Sequence, residues 1–147
     1  MRLALEQARL AALHDEVPVG AVMVLDNRVI GAGCNLTRRL QDSTAHAEMI
    51  AMRQAAGRLG HWYFEQCTLY ATLEPCIMCA GALVLARVGR LVYGAAEPKF
   101  GGCGSILDIV REKRLNHRPE VAAGVLEAEC SGLMRDFFRD LREKPVL

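Results

Sequence analysis

The stretch TLEPCIMC, residues 72–79, decides how the rest of this chain is interpreted. Proline favours the start of a helix, because its fixed φ is already helical and its missing N–H would have no intrahelical partner there. Cys76 and Cys79 then share one face of the predicted helix. Thiolates bind metal ions, and the positive end of a helix dipole favours the thiolate over the thiol. The stretch therefore predicts a helix that begins at a site for a soft cation.

A second motif, HAE at residues 46–48, lies upstream. It follows DST at residues 42–44, which are good N-cap residues, so His46 and Glu48 are predicted in the first turn of another helix. A capping box does not explain Glu48, because the residue three positions before it is Ala45, which cannot cap. We expect both helices to point their amino ends at one place.

His46, Cys76 and Cys79 together predict a zinc site. Zinc prefers nitrogen and sulfur, and three such ligands leave the fourth tetrahedral position for water, as in a catalytic site. A structural site would need a fourth protein ligand, and no second CxxC or HxxxH occurs at a zinc-finger spacing. Glu48 is not needed as a ligand and is therefore available to transfer protons. An isolated histidine is more often an ordinary polar residue, and only the downstream cysteine pair favours the ligand interpretation.

Length and composition limit the kind of protein that can carry this site. A chain of 147 residues predicts one domain, residues 1–147, and 52% hydrophobic residues can form a real core. The formal net charge of +1 provides no global field for nucleic acid. RNA binding would therefore depend on a local basic patch.

The cysteine count and the apolar runs predict a soluble protein of a reducing compartment. The chain has 6 cysteines, but Met1 leads directly into a helical pattern with no secretory leader, which favours the cytoplasm over a disulfide-forming environment. The longest apolar run, residues 80–88, is interrupted by Arg87 and is far too short to span a membrane. We expect no membrane association.

Periodicity predicts alternating helices and strands. The predicted helices are residues 3–13, 45–57, 75–87, 106–114 and 127–144. The predicted strands are residues 20–25, 28–34, 67–73, 89–95 and 119–126, the first two forming a hairpin with a turn at residues 26–27. Arg38 and Arg39 are expected in a polar loop. The glycine-rich residues 97–105 lack the ending of a phosphate-binding loop and predict a flexible, functional loop of another kind. Together these elements favour an α/β sandwich with a mixed sheet.

From residue 1 to residue 138, the chain resembles the bacterial tRNA-specific adenosine deaminases, a family of the cytidine deaminase-like superfamily. The order H-x-E and then P-C-x-x-C is the superfamily signature. The motifs that carry the resemblance are VPVGA at 17–21, Asn35, TAHAE at 44–48, TLEPCIMCAGA at 72–82, the loop from Pro98 and Lys99 to Gly104 and Ser105, Asn116-His117 and Phe137-Phe138. The loop and the paired phenylalanines favour the tRNA enzyme. The resemblance implies a three-layer α/β/α sandwich with a mixed five-stranded sheet.

The resemblance also implies an activity. It is hydrolytic deamination of the wobble adenosine in a tRNA anticodon to inosine, by a homodimer with one zinc per subunit. Zinc would lower the pKa of its bound water from about 15.7 toward roughly 7. Glu48 would take the proton of that water, deliver it to the purine ring nitrogen and later protonate the departing ammonia.

Substrate contacts follow from the same resemblance, residue by residue. Asn35 matches a base-contacting asparagine, and the backbone at Ala47 and Pro75 would line the base pocket. In the loop that approaches the anticodon, Glu97 stands where relatives usually have aspartate, and Lys99 follows it. Three residues of the last helix match a segment that touches the anticodon stem-loop: Phe137, Phe138 and Arg139.

Other interpretations of these residues stay open at this stage. A zinc-dependent deaminase of a free base or nucleoside, such as guanine, cytosine or cytidine, would keep the same metal ligands without a basic surface. A structural zinc module or a CxxC redox protein would explain the cysteines but not His46 and Glu48. By pattern alone, Phe137 and Phe138 are more often core residues, with Arg135 on or near the other side of the last helix.

Overall fold

The structure, a computed structural model, describes residues 1–144, so the predicted domain limit at residue 147 lies outside the described residues. The helices are α1 (Arg2–Leu13), α2 (Thr37–Leu40), α3 (Ala47–Leu59), α4 (Ile77–Leu85) and α5 (Glu127–Glu143). The strands are β1 (Gly20–Leu25), β2 (Arg28–Cys34), β3 (Thr68–Leu73), β4 (Arg90–Ala95) and β5 (Glu120–Ala122).

The five strands form one mixed sheet in the order β2-β1-β3-β4-β5. β1 is antiparallel to β2 and β3, whereas β4 is parallel to both β3 and β5. Asp26 and Asn27 form the hairpin turn between β1 and β2 with φ of 49° and 59°, the left-handed conformation that the favoured two-residue hairpin turn requires. The parallel pair of β3 and β4 needs a crossover connection, and α4 provides it.

Close approaches of glycine show that α1 and α3 cover opposite faces of the sheet. A Cβ atom at Gly20 would overlap the backbone of Ala4 in α1, and one at Gly33 would overlap the backbone of Ala47 in α3. Gly33 lies opposite Ala21, the neighbour of Gly20 in β1. Since neighbouring residues of a strand point to opposite faces, the two helices lie on opposite sides.

The other two long helices complete these layers. Leu83 of α4 lies in the same buried cluster as Ala51 of α3 and Leu69 of β3. On the other face, Cys130 of α5 packs in a smaller cluster with Leu5 of α1. The predicted three-layer α/β/α sandwich with a mixed five-stranded sheet is therefore confirmed.

Two predicted elements are shorter than their sequence pattern indicates. Only a single turn of 3₁₀-helix, Ile109–Arg111, forms in the predicted helix 106–114. The reason is that the backbone N–H groups of Ile106 and Leu107 both donate to the carbonyl of Gly101, and so bond backwards into the preceding loop. The predicted strand 119–126 is confined to β5, because Gly124 and Leu126 adopt left-handed φ values of 79° and 52°.

The polar loop predicted around Arg38 and Arg39 is in fact the short helix α2. Both of these residues donate their backbone N–H to the carboxylate of Glu16, at 3.2 and 2.7 Å respectively. Because it accepts these two N–H groups, Glu16, a completely buried residue from a distant part of the chain, serves as the side-chain cap of α2.

All 6 cysteines are free thiols. Along residues 1–144, no helix is both long enough and apolar enough to cross a membrane.

Candidate active site

The two helices that carry the sequence motifs begin at the same place. His46 is the N-cap residue of α3, and Cys76 is the N-cap residue of α4. His46 is thus one position before the first turn in which it was predicted, and Pro75 lies just before the helix that it was expected to begin. The Cys76 sulfur accepts the backbone N–H of Cys79 at 3.5 Å, as an N-cap side chain does. The prediction that both amino ends point at one site is confirmed.

His46, Cys76 and Cys79, here called the ligand triad, have the spacing of a zinc site. Their ligand atoms all lie within 4.8 Å of one another. The Nδ1 atom of His46 is 3.5 Å from the Cys76 sulfur and 3.6 Å from the Cys79 sulfur. Zinc bonds of about 2.3 Å to sulfur and about 2.0–2.1 Å to nitrogen, at tetrahedral angles, separate these atoms by about 3.5–3.6 Å. The donor set and its geometry therefore fit zinc.

The triad also has the electrostatics of a cation site. A hydrogen bond from the Cys79 thiol, followed by one from His46, lowers the pKa of Cys76 to about 4 against the effect of its burial. The pKa of His46 and the pKa of Cys79 are both raised, and the main cause in each case is the hydrogen bond to Cys76. The protons of His46 and Cys79 therefore lie at a place where positive charge is favoured. A divalent cation displaces such protons, since thiolate and neutral imidazole are the forms that bind metal.

No fourth side chain joins this cluster among the histidine, cysteine, aspartate and glutamate residues of the described chain. A closed structural zinc site would use four protein ligands, whereas a catalytic site keeps one position open. Glu48, the second residue of α3 and two positions after the cap, stays outside the ligand set. This arrangement favours catalysis over the structural and redox alternatives.

Glu48 is a buried carboxyl group beside the triad, only 3% exposed. Burial is the main cause that raises the pKa of Glu48, against the opposing effects of a backbone hydrogen bond and of His46. A carboxyl group with a raised pKa is closer to neutral pH, where a general base can both take and return a proton. The burial and the raised pKa of Glu48 are consistent with its predicted role as a proton carrier.

A cavity of about 750 Å³ opens over His46, Cys76 and Glu48, whereas the third ligand, Cys79, is completely buried. Four residues that the resemblance assigned to substrate also line it: Asn35, Glu97, Lys99 and Phe138. Asn35 is buried at 8% exposure, and Phe138 of α5 is 42% exposed, so it is not a core residue. The fold therefore brings together the loop after β2, both motif helices, the 97–105 loop and α5.

The other four predicted contacts do not line this cavity. Ala47 and Pro75 are buried beside the triad, and the Pro75 carbonyl accepts the backbone N–H of Gly102 at 2.9 Å. Phe137 faces α1, in a groove that Ala12 and Leu133 also line. Arg139 lies farther along the outer side of α5. Their roles in substrate binding stay predictions.

A second groove of about 720 Å³ runs along α5 from the mouth of the cavity. We call it the basic groove, because its lining includes four cations: Lys99, Arg135, Arg139 and Arg142. It shares Lys99, Arg135 and Phe138 with the cavity, so the two are continuous. The sequence interpretation gave Arg135 and Arg142 no role, although their helical spacing with Arg139 is a signal that could have identified the groove.

Comparison with known proteins agrees with this site. The family model for MafB19-like deaminases matches residues 1–142. The tRNA-specific adenosine deaminase of Bacillus subtilis (strain 168) is 48% identical over 144 residues, 98% of this chain and 89% of that protein. A structure solved in a study of A-to-I editing by tRNA:A34 deaminases superposes with a TM-score of 0.87 at 47% identity, over 90% of this chain and 96% of the other. The guanine deaminase from Nitrosomonas europaea is more distant, with a TM-score of 0.78 at 25% identity over 91% and 80% of the two chains. The chain therefore belongs to the MafB19-like deaminase family, and by its identity to these relatives it belongs to the tRNA-specific adenosine deaminases.

Proposed function

We propose that this protein hydrolytically deaminates the wobble adenosine of a tRNA anticodon to inosine. The observation that carries the proposal is the ligand triad with the buried Glu48 beside it at one cavity, in a chain of this family. His46, Cys76 and Cys79 would hold zinc, which when bound would supply activated water by lowering the pKa of that water from about 15.7 toward roughly 7.

The residues of the chain itself move the protons. Glu48 takes the proton that the attacking water loses and gives it to the purine ring nitrogen, which lets the ring accept the new C–O bond. Glu48 then takes the proton of the new hydroxyl group and gives it to the exocyclic amine, so that the C–N bond breaks, ammonia leaves and the C–O bond becomes a carbonyl. Asn35 lines the same cavity, and its amide offers both a donor and an acceptor to the edge of the base.

The basic groove supports an RNA substrate over a free base. A net charge of +1 attracts no polyanion by itself, but four cations along one side of α5 continue from the mouth of the cavity. Arg139 is 3.0 Å from Asp136 and 3.2 Å from Asp140, so Lys99, Arg135 and Arg142 are the better candidates for phosphate contacts. We propose that the anticodon stem-loop lies along this groove while its wobble base enters the cavity.

The competing function is deamination of a free base or nucleoside, which the similarity to a guanine deaminase favours. To separate the two, the protein is assayed with an anticodon stem-loop RNA, free adenosine and free guanine. We expect inosine only in the stem-loop and binding that weakens steeply with salt, because released counterions drive association. Arg135→Ala should reduce the slope of log affinity against log salt by about 1, whereas Arg118→Ala should leave it unchanged. Turnover of free guanine with no salt-dependent RNA binding would establish the competing function.

We also propose the homodimer, through the apolar surface that α3 and α4 leave exposed. This surface includes Met49, Ala56 and Leu85 together with Trp62, which follows α3, and Trp62 is 67% and Leu85 77% exposed. A two-fold dimer needs only one such patch, because the same surface serves both subunits. Leu85→Glu should give a monomer by analytical ultracentrifugation, whereas Leu13→Glu, on the equally exposed face of α1, should stay dimeric. A monomeric wild-type protein would contradict the assignment.

A cytoplasmic location is proposed as well. It rests on the 6 free cysteines and on the tRNA substrate, which is found in the same compartment as translation. Fractionation of cells that express the full chain would test it.

A further inference from the structure

Glu74 is a second carboxylate beside the site, and the chemistry described above does not use it. It lies between β3 and α4, is 2% exposed and belongs to no ion pair within the described chain. Its side chain accepts four hydrogen bonds, all from the 97–105 loop. The donors are the backbone N–H of Glu97 at 3.3 Å, of Cys103 at 3.1 Å and of Ser105 at 3.2 Å, and the Ser105 hydroxyl.

These four donors saturate the carboxylate. An ionised carboxylate has about four lone-pair sites, so Glu74 retains no free acceptor for a substrate or a metal. The four donors span one loop from its first residue to its last. The loop is therefore fastened to Glu74 at both ends, in place of the flexibility that its glycine content predicted.

The glycines of the loop are explained by the same contact. A Cβ atom at Gly101 would overlap the Glu74 carboxylate, and one at Gly102 would crowd the backbone of Ile77 in α4. The Phe100 carbonyl accepts the backbone N–H of Ile77 at 3.1 Å. The chain thus uses glycine where the loop lies directly on the carboxylate and on the first turn of the helix that carries Cys79.

The fastened loop forms a wall of the cavity. Its first half, from Glu97 to Phe100, lines the same cavity as His46 and Glu48. Lys99 also lines the basic groove. Displacement of this wall would change where a nucleotide sits relative to Glu48. The ligand triad does not depend on the Glu74 side chain, because none of the three ligands bonds to it. The backbone on either side of Cys76 also keeps its own bonds to the loop, from Gly102 to Pro75 and from Ile77 to Phe100.

We propose that Glu74 is a positioning residue, whose carboxylate holds the 97–105 loop as the substrate-facing wall of the active site. The proposal rests on the proposed RNA deaminase function for its kinetic consequence but not for its structural one. Glu74 acts through the loop: it sets the affinity and orientation of the nucleotide and moves no proton itself.

The test compares Glu74→Gln with wild type and with Glu112→Gln. The glutamine amide keeps the volume but places an NH₂ group against N–H donors, so the loop loses part of its anchor. Glu112 is a matched control, because it also accepts a backbone N–H, that of Arg114 at 3.0 Å, at a site far from the cavity. We expect Glu74→Gln to retain one zinc per subunit by elemental analysis and to raise KM for the anticodon stem-loop at least tenfold, with a smaller change in kcat.

Hydrogen exchange supplies a readout that is independent of activity. In Glu74→Gln, the amides of Cys103 and Ser105 should exchange at least tenfold faster, while those of α1 keep their wild-type rates. A merely structural role would lower the active fraction, and therefore kcat, with KM unchanged and exchange accelerated throughout. That pattern, or unaltered exchange in the loop, would overturn the proposal.

A milder variant covers the case in which Glu74→Gln does not fold. Ser105→Ala removes only the hydroxyl donor and should raise KM about two- to fivefold, with faster exchange confined to the loop. An unchanged KM together with unchanged exchange in Ser105→Ala would refute the role of Glu74. If wild-type protein fails to deaminate the stem-loop, the proposed function fails, and the exchange comparison still decides whether Glu74 holds the loop.

Discussion

Removing the carboxylate of Glu48 should abolish deamination and leave the metal bound. Glu48→Gln is the appropriate change, because the site is buried and an amide of equal volume leaves no cavity behind. Glu48 is not part of the ligand triad, so its loss removes the proton carrier and no ligand. Glu48→Ala should behave in the same way, with some additional loss of stability.

The size of the effect follows from what else lies in the cavity. A positioned general acid or base contributes about 10²–10⁴-fold to rate. Glu74 and Glu97 also line the cavity, but Glu74 is saturated by the loop, and Glu97 accepts the backbone N–H of Lys99 at 2.9 Å. Since Glu74 has no free acceptor and Glu97 is engaged with its own loop, we expect neither to replace Glu48 and the loss to be near 10⁴-fold, or about 5 kcal/mol of transition-state stabilisation.

The assay measures single-turnover inosine formation in an anticodon stem-loop, with zinc determined by elemental analysis on the same samples. Glu127→Gln is the matched control, because Glu127 is also a carboxylate in the first turn of a helix but is exposed and far from the triad. It should keep full activity. A zinc-loaded Glu48→Gln protein with turnover within tenfold of wild type would refute the assignment of Glu48 as proton carrier.

Three further changes probe the metal, a distant cap and the sheet. Cys79→Ala should lose zinc, as elemental analysis would detect, whereas Cys34→Ala should retain it, and a zinc-loaded Cys79→Ala protein would contradict the ligand assignment. Glu16→Ala removes the acceptor of two backbone N–H groups of α2 and should cost about 1–3 kcal/mol in urea unfolding; an unchanged midpoint would show that α2 does not need this cap. Gly33→Val would force α3 away from β2, so thermal unfolding should shift down by several degrees, in keeping with about 1–3 kcal/mol of overpacking. An unshifted transition would mean that the two elements separate without cost.

Local pattern was sufficient for most of the secondary structure and for the metal ligands. The β1–β2 hairpin, the four long helices and the strands β3 and β4 follow from periodicity and turn residues, which act within a few positions of one another. His46, Cys76 and Cys79 were identifiable because each motif presents its ligands at a helix start. A helix start has defined geometry, so two short motifs were enough to predict one site.

The secondary-structure predictions were wrong where atoms distant in sequence determine the local structure. Residues 106–114 have a helical pattern, but the N–H groups of Ile106 and Leu107 bond back to Gly101. Gly101 belongs to the loop that lies on Glu74, which is distant in sequence. Arg38 and Arg39 form a helical turn because Glu16, more than 20 positions earlier, accepts their N–H groups. No local propensity contains these partners.

The sequence by itself thus determined which residues can bind zinc and carry protons, because those roles depend on side-chain chemistry and on spacing along one helix turn. Only the tertiary structure decided which residues surround the substrate. Phe137 and Phe138 are neighbours in sequence, yet Phe138 lines the cavity and Phe137 faces α1. Successive residues of a helix point about 100° apart, and the packing of α5 on the sheet sets which of them faces the site.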